Sequence, residues 1–429
     1  MTNAFTPDHA RALSGPDWLV ERRLAAVEEL ADLAWPTTAE EIWRYSRVDQ
    51  FDLERYRPVP TEVLGAPGVE GAPGGGPMAA EVGDHAALIV VRDGRVVHHE
   101  ITPALAAKGV RACGIATCGA EVAEYLGRAS AASPDAFTRL HDAFLAGGAF
   151  VHVPRGVVVE QPVVVLHWSD GAGLASFPHT LVVAEESSDV TVIERSGSPD
   201  AEHLVDGVVE FLVRDNAHVR HLAVQEYGTR TWAVQLQRAE LGRDATLRSS
   251  SIALGGDYAR LRTETHLTGA GAESDLLAVY YGDEDQMLDF RTLQDHAAPN
   301  TRSELLFKGA VEDRATSVYS GLIHLRPEAQ RAAAYQTNRN LVLTEGARAE
   351  SIPNLVIEAN DVKCSHASTV GPIDDDQLYY LATRGVSPAD AERLIVLGFF
   401  EDVFERLPVR SLVPSLRRAV AEKVGRLTP

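Results

Sequence analysis

Positive charge is scarce in this 429-residue sequence, which carries 40 basic against 61 acidic residues and a formal net charge of -21. A surface with this balance repels the phosphates of nucleic acids and anionic lipids, so we expect neither a nucleic acid nor a membrane as partner. Long apolar runs are also missing, since none approaches the ~18 residues that a membrane-spanning helix requires. The first residues lack the basic and apolar pattern of an export signal. We therefore expect a cytoplasmic protein.

Lysine is the rarest charged residue, with four copies in the chain. They are Lys108, Lys308, Lys363 and Lys423. None follows a glycine, whereas a Walker A loop needs a Gly-Lys pair to bring the amine to phosphates held by a glycine-rich backbone. The sequence therefore predicts no ATP site of its own, and a partner must hydrolyse any ATP that is used.

Cysteine is also rare, and Cys113, Cys118 and Cys364 are the only three. So few cysteines in a chain of this length argue against a disulfide framework and indicate a reducing compartment. The spacing of Cys113 and Cys118 does not fit a C-x-x-C redox or zinc motif, and no histidine completes it. We expect both to be free cysteines with a structural role, because free cysteine is usually buried.

The first 147 residues read as a mainly helical domain. Apolar residues at helical spacing predict a helix from Ser14 to Ala34, with Ser14 as its N-terminal cap. The run from Gly65 to Pro77, GAPGVEGAPGGGP, is too poor in packing side chains to order itself, so we expect a flexible loop. The segment Ala87–Glu100 has two short apolar runs about a central Asp-Gly pair, which predicts a β-hairpin.

From residue 148 to about 370 the helical pattern gives way to short strands separated by turns. Similar turn-then-strand units recur at a nearly constant spacing of 28, 28, 27 and 29 residues. They begin at Asp189, Ala217, Ala245, Ala272 and Thr301. The period and the lack of helical crossovers favour a right-handed parallel β-helix, and an antiparallel sandwich is the competing architecture. We therefore predict a mainly β fold with a parallel β-helix core.

Helices return in the C-terminal part, residues 371–429. Ser387, Pro388 and Asp390 form a capping box that starts one helix, and a last helix is expected from Ser411 to Arg426. A β-helix exposes apolar surface and unpaired backbone groups at its two ends. We expect the helical parts on either side to cover these ends.

Cys364 and His366 are candidate metal ligands at the end of the strand-rich region. Side chains alternate along a strand, so both project the same way, with Cα atoms about 6.5–7 Å apart. Thiolate and imidazole are ligands that iron and zinc accept, but two ligands are only half a site. A functional site would need ligands from a second chain. The alternative is a small buried cysteine beside a hydrogen-bonded histidine.

An acidic run, comprising Asp283, Glu284, Asp285 and Asp289, lies between two predicted strands. Paired carboxylates in a β-helix groove cleave polysaccharides when one protonates the leaving oxygen and the other activates water or attacks the sugar. A solvated, mutually repelling turn is the simpler explanation. The run supports a second hypothesis, a cytosolic β-helix enzyme that acts on carbohydrate through the carboxylates of residues 283–289.

Two long strings resemble a known family. The run QMLDFRTLQDHAAPNTRSELLFKGAVEDRATSVYSGLIHL from Gln286, continued by AYQTNRNLVL from Ala334, resembles the core of the SufB/SufD family of iron–sulfur cluster assembly proteins. The stretch IPNLVIEANDVKCSHASTVGPIDDDQLYYLATRGV, from Ile352 to Val386, is similar to the SufD branch. The similarity covers nearly the whole chain and is densest from Gln286 to about Leu407.

The resemblance implies a β-helix flanked by helical domains, in agreement with the period. It also implies a non-catalytic subunit of a SufBCD scaffold complex, paired with SufB through the β-helices and carrying the ATPase SufC on its C-terminal helices. The complex builds a transient iron–sulfur cluster for transfer to other proteins. By the same resemblance, the ligand histidine at the SufB interface corresponds to His366, and its partner ligand is a SufB cysteine. Cys364 also matches the family string, and its role stays open.

The chain departs from the SufB branch, which places a cysteine near Asn338–Asn340 and a glutamate directly after the histidine. This chain has Ala367 at that position. The resemblance therefore implies the accessory half of the scaffold. The choice between heterodimer and homodimer stays open, as does flavin binding by the whole complex, for which no motif is visible here. A third hypothesis is a homodimeric protein that recruits the ATPase without holding a cluster.

Overall fold

The computed structural model describes residues 4–60, 83–129 and 135–425. The chain is mainly β, with 42% of its residues in strands and 23% in helices, and its centre is a β-solenoid of about eight turns. The predicted parallel β-helix is confirmed, and the antiparallel sandwich is wrong because successive coils pair in parallel. The loop predicted from Gly65 to Pro77 lies outside the described residues.

Short helices and strands precede the solenoid. The helices are α1 (Pro7–Ala12), α2 (Asp17–Asp32), α3 (Pro103–Ala107) and α4 (Ala136–Phe144). The strands are β1 (Arg57–Pro58), β2 (Ala87–Arg92), β3 (Arg95–Ile101) and β4 (Arg111–Gly114). Strands β2 and β3 form the predicted antiparallel hairpin, which turns at Asp93-Gly94.

The solenoid strands follow in chain order. They begin with β5 (Ala149–Val153), β6 (Val163–Trp168), β7 (Leu174–Ser176), β8 (His179–Ala184), β9 (Asp189–Gly197), β10 (His203–Val213), β11 (His218–Glu226), β12 (Thr231–Leu241) and β13 (Thr246–Ala253). They continue with β14 (Tyr258–Leu267), β15 (Glu273–Gly282), β16 (Met287–His296), β17 (Arg302–Val311), β18 (Thr316–Leu325), β19 (Ala333–Val342), β20 (Arg348–Ile357) and β21 (Lys363–Gly371).

Successive strands alternate between two sheets. The even-numbered strands from β8 to β20 extend the first sheet from β5, and the odd-numbered strands from β9 to β21 extend the second sheet from β6. At the starting end, β4 pairs with β5 and β2 pairs with β6, so N-terminal strands continue both sheets beyond the first coil. The division into residues 1–147, 148–370 and 371–429 stays a prediction, and hydrogen bonds of these strands cross its first boundary.

From β9 to β19, the coils enter the second sheet through one left-handed residue followed by a small, buried residue. The left-handed positions are Ser187, Asn216, Asp244, Gly271, Asn300 and Arg331. The buried positions after them are Ser188, Ala217, Ala245, Ala272, Thr301 and Ala332. Glycine, asparagine and aspartate tolerate the left-handed conformation, so this turn explains the sequence period. The first predicted interval is one residue short, because Asp189 pairs with His218 rather than with Ala217.

Columns of side chains at matched strand positions fill the inside of the solenoid. Val190, Val219 and Leu247 stack in one such column on β9, β11 and β13, and all three are buried. Burial of apolar surface contributes about 25 cal/mol per Å² to folding. Because each member of a column is covered by the members above and below it, a coil buries its inner surface only through its neighbours.

The N-terminal region packs on the outer face of the first sheet. Phe137 and Phe144 of α4 share a buried cluster with Trp232, Tyr258 and Met287 of that sheet. This cluster places the α4 region against the middle coils and leaves the last coil uncovered by it.

The predicted cap of the long N-terminal helix is wrong. Helix α2 begins at Asp17 with Pro16 at the N-cap position, and no side chain caps it. Proline suits a helix start because its fixed φ is compatible with the helix and it lacks an N–H group. The Ser14 carbonyl oxygen instead accepts a hydrogen bond from Arg23 Nη2 at 3.1 Å.

Cys113 and Cys118 are joined as a disulfide, with their Cα atoms 5.7 Å apart. The prediction that both cysteines are free is therefore wrong. The chain reverses directly after β4, where the Cys118 N–H donates to the Gly114 carbonyl oxygen at 2.9 Å. This local turn, which the C-x4-C spacing alone does not reveal, brings the two Cα atoms within disulfide range.

Three helices follow the solenoid: α5 (Asp375–Thr383), α6 (Pro388–Phe404) and α7 (Val413–Val424). Ser387 caps α6 as predicted, because its side chain accepts a hydrogen bond from the Asp390 N–H. The predicted last helix is present as α7, and Arg426 lies outside the described residues. No helix in the described ranges is long and apolar enough to cross a membrane.

The C-terminal helices cover the outer face of the second sheet. Val396 and Phe400 of α6 pack against Val279 and Tyr281 of β15. The buried Lys423 of α7 adds polar contacts, donating from Nζ to the Tyr281 carbonyl oxygen at 3.1 Å. The expectation that flanking helices cover both ends of the solenoid is therefore wrong for the last coil, because they lie on the faces of the two sheets.

Candidate functional site at the open end of the solenoid

Strands β20 and β21 form the last coil, which we call the open end. Within the described residues, β20 pairs only with β18 and β21 only with β19. The two strands are ten and nine residues long and mostly exposed or half-buried. Backbone N–H and C=O groups on the outer side of such edge strands are templates for pairing with another chain.

Both predicted ligands lie on β21 of this coil. Cys364 pairs in register with Ala334, and His366 pairs with Gln336. Ala334 and Gln336 are buried inside the solenoid. Since matched positions share a face, Cys364 and His366 both belong to inward-facing columns and lie on the same side of the strand, as strand alternation predicts.

Cys364 is half-buried at the rim of the open end. It packs against a small apolar cluster that includes Ala334, Leu355 and Val362. Burial in these surroundings raises the pKa of the Cys364 thiol above its ordinary value. The cysteine is therefore a neutral thiol at neutral pH in the chain alone.

His366 is exposed at the mouth of the same coil. No hydrogen bond joins its ring to another residue in the described part of the chain. Two residues further along β21, Ser368 Oγ donates to Ser351 Oγ of β20 at 2.7 Å and links the two edge strands. The alternative of a hydrogen-bonded core histidine is therefore wrong for His366, whereas a partly buried cysteine beside it is observed.

The described residues contain no complete metal site. Within residues 4–60, 83–129 and 135–425, no group of three or more histidine, cysteine, aspartate or glutamate side chains is arranged to hold a metal ion. Cys364 and His366 thus remain a pair at a chain edge.

The acidic run does not assemble into an accessible carboxylate pair. Asp289 is fully buried and makes ion pairs with Arg260 and Arg291, each at 2.6 Å. Burial raises the pKa of Asp289, but the charges of Arg260 and Arg291 and the hydrogen bonds from Arg291 and Tyr258 lower it by more, so the net shift is downward. Asp283 pairs with Lys423 at 3.0 Å.

The remaining carboxylates of the run lie elsewhere. Asp285 is exposed and pairs with Arg314 at 2.6 Å, and Glu284 occupies a left-handed turn position. An ionised, buried Asp289 cannot donate a proton to a sugar oxygen or reach a substrate. The predicted carbohydrate-cleaving site is therefore wrong, because these carboxylates serve as ion-pair partners and turn residues.

Sequence reasoning missed two apolar residues at the open end. Ile357 of β20 and Val370 of β21 are 46% and 43% exposed, although their neighbours in register, Leu325 and Asn340, are buried. Once the strand register is known, apolar side chains at inward positions of the last repeat indicate an uncovered apolar surface. The sequence alone does not reveal which repeat is the last.

Comparison with known proteins adds the family. Residues 167–399 match the model of the SufBD core domain of the SUF system for iron–sulfur cluster assembly, and residues 84–165 match the model of the SufBD N-terminal region. The chain belongs to the SufBD family. The family inferred from the sequence strings is thereby confirmed, and with it a part in iron–sulfur cluster assembly.

Individual relatives agree with this SufBD assignment. The chain is 30% identical over 426 residues to the iron-sulfur cluster assembly protein SufD of Bacillus subtilis, covering 95% of this chain and 94% of that protein. It is 36% identical over 284 residues to a SufBD family protein of Mycobacterium tuberculosis, covering 64% of this chain and 70% of that protein. A SufBD family protein of Staphylococcus saprophyticus is 24% identical over 424 residues.

The raised pKa of Cys364 predicts slow alkylation of the isolated chain at neutral pH, because the thiolate is the nucleophile. With iodoacetamide, we expect the rate at Cys364 to keep rising with pH beyond the ordinary cysteine pKa. Mass spectrometry of timed samples measures it, and His366→Ala is the control that should not change it. A rate that levels off below the ordinary cysteine pKa would contradict desolvation as the dominant influence on this thiol.

Proposed function

We propose that this chain is the SufD-type subunit of a SufBCD scaffold complex. In this proposal it pairs with a SufB-type paralogue through the open end, and His366 is a ligand of the nascent iron–sulfur cluster where the two chains meet. The observation that carries the proposal is an exposed imidazole without a hydrogen bond among the described residues, held on an edge strand that has a free pairing side. The cluster is cargo that the complex builds and passes on.

The two edge strands support pairing with a second solenoid. They lie side by side and end two separate sheets, so a partner of the same architecture continues both sheets at once. Each added strand gives backbone groups the partners that they lack in the chain alone. Ile357 and Val370 add exposed apolar surface to the same end, and its burial favours association. A homodimer through the same end is the competing assembly.

His366 is the stronger of the two proposed ligands. Its ring is exposed and accessible to a partner's thiolate, and imidazole with thiolate suits iron. Cys364 is a neutral, half-buried thiol and must lose its proton before it can bind a metal. We therefore assign His366 as the ligand and keep Cys364 as a secondary candidate.

The C-terminal helices are the proposed contact for the SufC-type ATPase, and in this proposal that partner supplies the ATP hydrolysis. Helix α5 has no buried residue, and its Tyr379 is 72% exposed. Tyr380 and, on α6, Leu394 are exposed as well. Exposed tyrosines of this kind are frequent anchors of protein interfaces. The proposed complex works in the cytoplasm, and flavin binding is left to the whole complex.

His366→Ala tests the ligand role. We expect the complex with its SufB-type and SufC-type partners to assemble normally, because the side chain is exposed, and to contain about 10-fold less iron and acid-labile sulfide after anaerobic purification. Exposed His99, on β3 and away from the open end, provides the matched control His99→Ala. Iron and sulfide at the wild-type level in His366→Ala would remove this residue from cluster binding.

The double variant Ile357→Asp, Val370→Asp tests the pairing surface. Both side chains are exposed in the isolated chain, so its melting temperature should change little. Burying two carboxylates in an interface should weaken the complex with the SufB-type partner by about 100-fold or more. Native mass spectrometry of the co-expressed proteins measures the complex.

Val158 is an exposed valine near the start of the solenoid, and Val158→Asp is the matched control for this double variant. We expect it to leave the complex intact. If the double variant still formed the complex at the same concentrations, the open end would not be the contact.

The ATPase contact is tested by Tyr379→Ser combined with Tyr380→Ser. We expect an affinity for the SufC-type subunit about 10-fold lower, because exposed aromatic anchors contribute strongly to interfaces. Isothermal titration calorimetry measures it, and Tyr45→Ser changes an exposed tyrosine of the N-terminal region as a control. Equal affinity for the double variant and the wild type would place the contact elsewhere.

A further inference from the structure

Gln336 is a buried amide without a hydrogen bond in the described part of the chain. It lies on β19, one coil below the open end, and only 1% of it is exposed. Neither its Oε1 nor its Nε2 has a hydrogen-bond partner. Buried amides nearly always have partners, so an unpaired one calls for an explanation in terms of what it binds.

The space around this amide is kept open by a glycine on the opposite sheet. A Cβ atom at Gly321 of β18 would lie 2.7 Å from Gln336 Nε2 and would overlap the Tyr319 hydroxyl. Any larger residue at position 321 therefore displaces the amide. The amide nitrogen and carbon are the atoms of Gln336 nearest this Cβ position, and the carbonyl oxygen lies farther from it.

His366 occupies the matched position on the next strand. Gln336 and His366 are paired in register on β19 and β21, and both belong to the same inward-facing column. Neighbouring strands lie about 4.8 Å apart, so two long side chains of one column are within reach of each other. The column thus places an unpaired amide directly beneath an imidazole that also has no hydrogen bond among the described residues.

We propose that Gln336 is a positioning residue for His366. In this proposal the bond forms in the complex with the partner: Gln336 Oε1 accepts a hydrogen bond from one ring N–H of His366. This bond fixes the tautomer and turns the other, unprotonated nitrogen out of the open end. A neutral imidazole binds a metal only through its unprotonated nitrogen. The inference rests on the proposed ligand role of His366 and names the group that orients the ring. Gln336 itself touches no metal.

The solenoid contains a matched control for this residue. Gln294 of β16 is also fully buried, and both of its amide atoms lack a hydrogen-bond partner. It pairs in register with Thr265 and Ile323 on the first sheet and has no column in common with His366. Replacing either glutamine by methionine keeps the side-chain length and removes the unpaired amide.

The test compares Gln336→Met, Gln294→Met and His366→Ala in the anaerobic complex with the SufB-type partner, with Co²⁺ as the probe. The visible absorption of bound Co²⁺ reports both affinity and ligand geometry. We expect Gln336→Met to weaken Co²⁺ binding by about 10-fold or more and to change the spectrum. Gln294→Met should change neither, and His366→Ala should abolish the histidine-dependent site.

Thermal unfolding separates positioning from a structural role. Both methionine variants should unfold at the same or a higher temperature than the wild type, because each replaces an unpaired buried amide by an apolar side chain. Gln336→Glu keeps the accepting oxygen and should restore Co²⁺ affinity towards the wild-type value. If the Gln336→Met variant is as stable as the wild type but binds Co²⁺ more weakly, the result supports a role of Gln336 in positioning His366.

Three outcomes would overturn the inference in different ways. If His366→Ala loses Co²⁺ while Gln336→Met binds it as tightly as the wild type with the same spectrum, Gln336 has no positioning role and His366 keeps its proposed function. If neither variant affects Co²⁺ binding, the ligand role of His366 fails as well. If Gln336→Met and Gln294→Met weaken Co²⁺ binding equally, the effect comes from the solenoid interior in general and not from a position next to His366.

Discussion

The parallel pairing of one coil with the next is the constraint on which the rest of this molecule depends. A coil satisfies its backbone groups and buries its inner side chains only through the coils on either side. At the start of the solenoid, β2 and β4 continue the two sheets. At the other end, β20 and β21 have a neighbour on one side only among the described residues. The open end is therefore a direct consequence of the architecture.

Buried charges hold this stacking in one register. Glu194 of β9 lies between two histidines of adjacent strands, with its carboxylate oxygens 3.2 Å from His167 Nε2 and 2.8 Å from His221 Nε2. Asp289 is held in the same way by Arg260 on the neighbouring coil. A shift of one residue would turn these groups to the wrong face and leave buried charges unpaired, which is costly. The polar groups thus specify the alignment that the apolar columns stabilise.

Local chemistry decided what could be predicted from the sequence. A left-handed turn residue followed by a small buried one repeats in every middle coil, so Ala217 and Ala245 revealed the period. Strand alternation alone placed Cys364 and His366 on one face. The burial of Asp289 depends on strands and helices that are distant in sequence, and the disulfide between Cys113 and Cys118 depends on an irregular turn. Composition and spacing reveal neither. The uncovered last coil was missed for the same reason, since only packing shows that the helices lie on the sheet faces.

The helices of the proposed ATPase contact pack against the same sheet that carries the proposed ligand. Lys308 of β17 donates from Nζ to the Phe399 carbonyl oxygen of α6 at 2.8 Å and pairs with Asp402 at 2.7 Å. From β17 an unbroken parallel register runs through β19 to β21, which carries His366. Hydrogen bonds and parallel pairing thus connect the C-terminal helices to the strand that carries His366. Because the proposed cluster is held by ligands from both chains, relative movement of the two open ends changes its coordination directly.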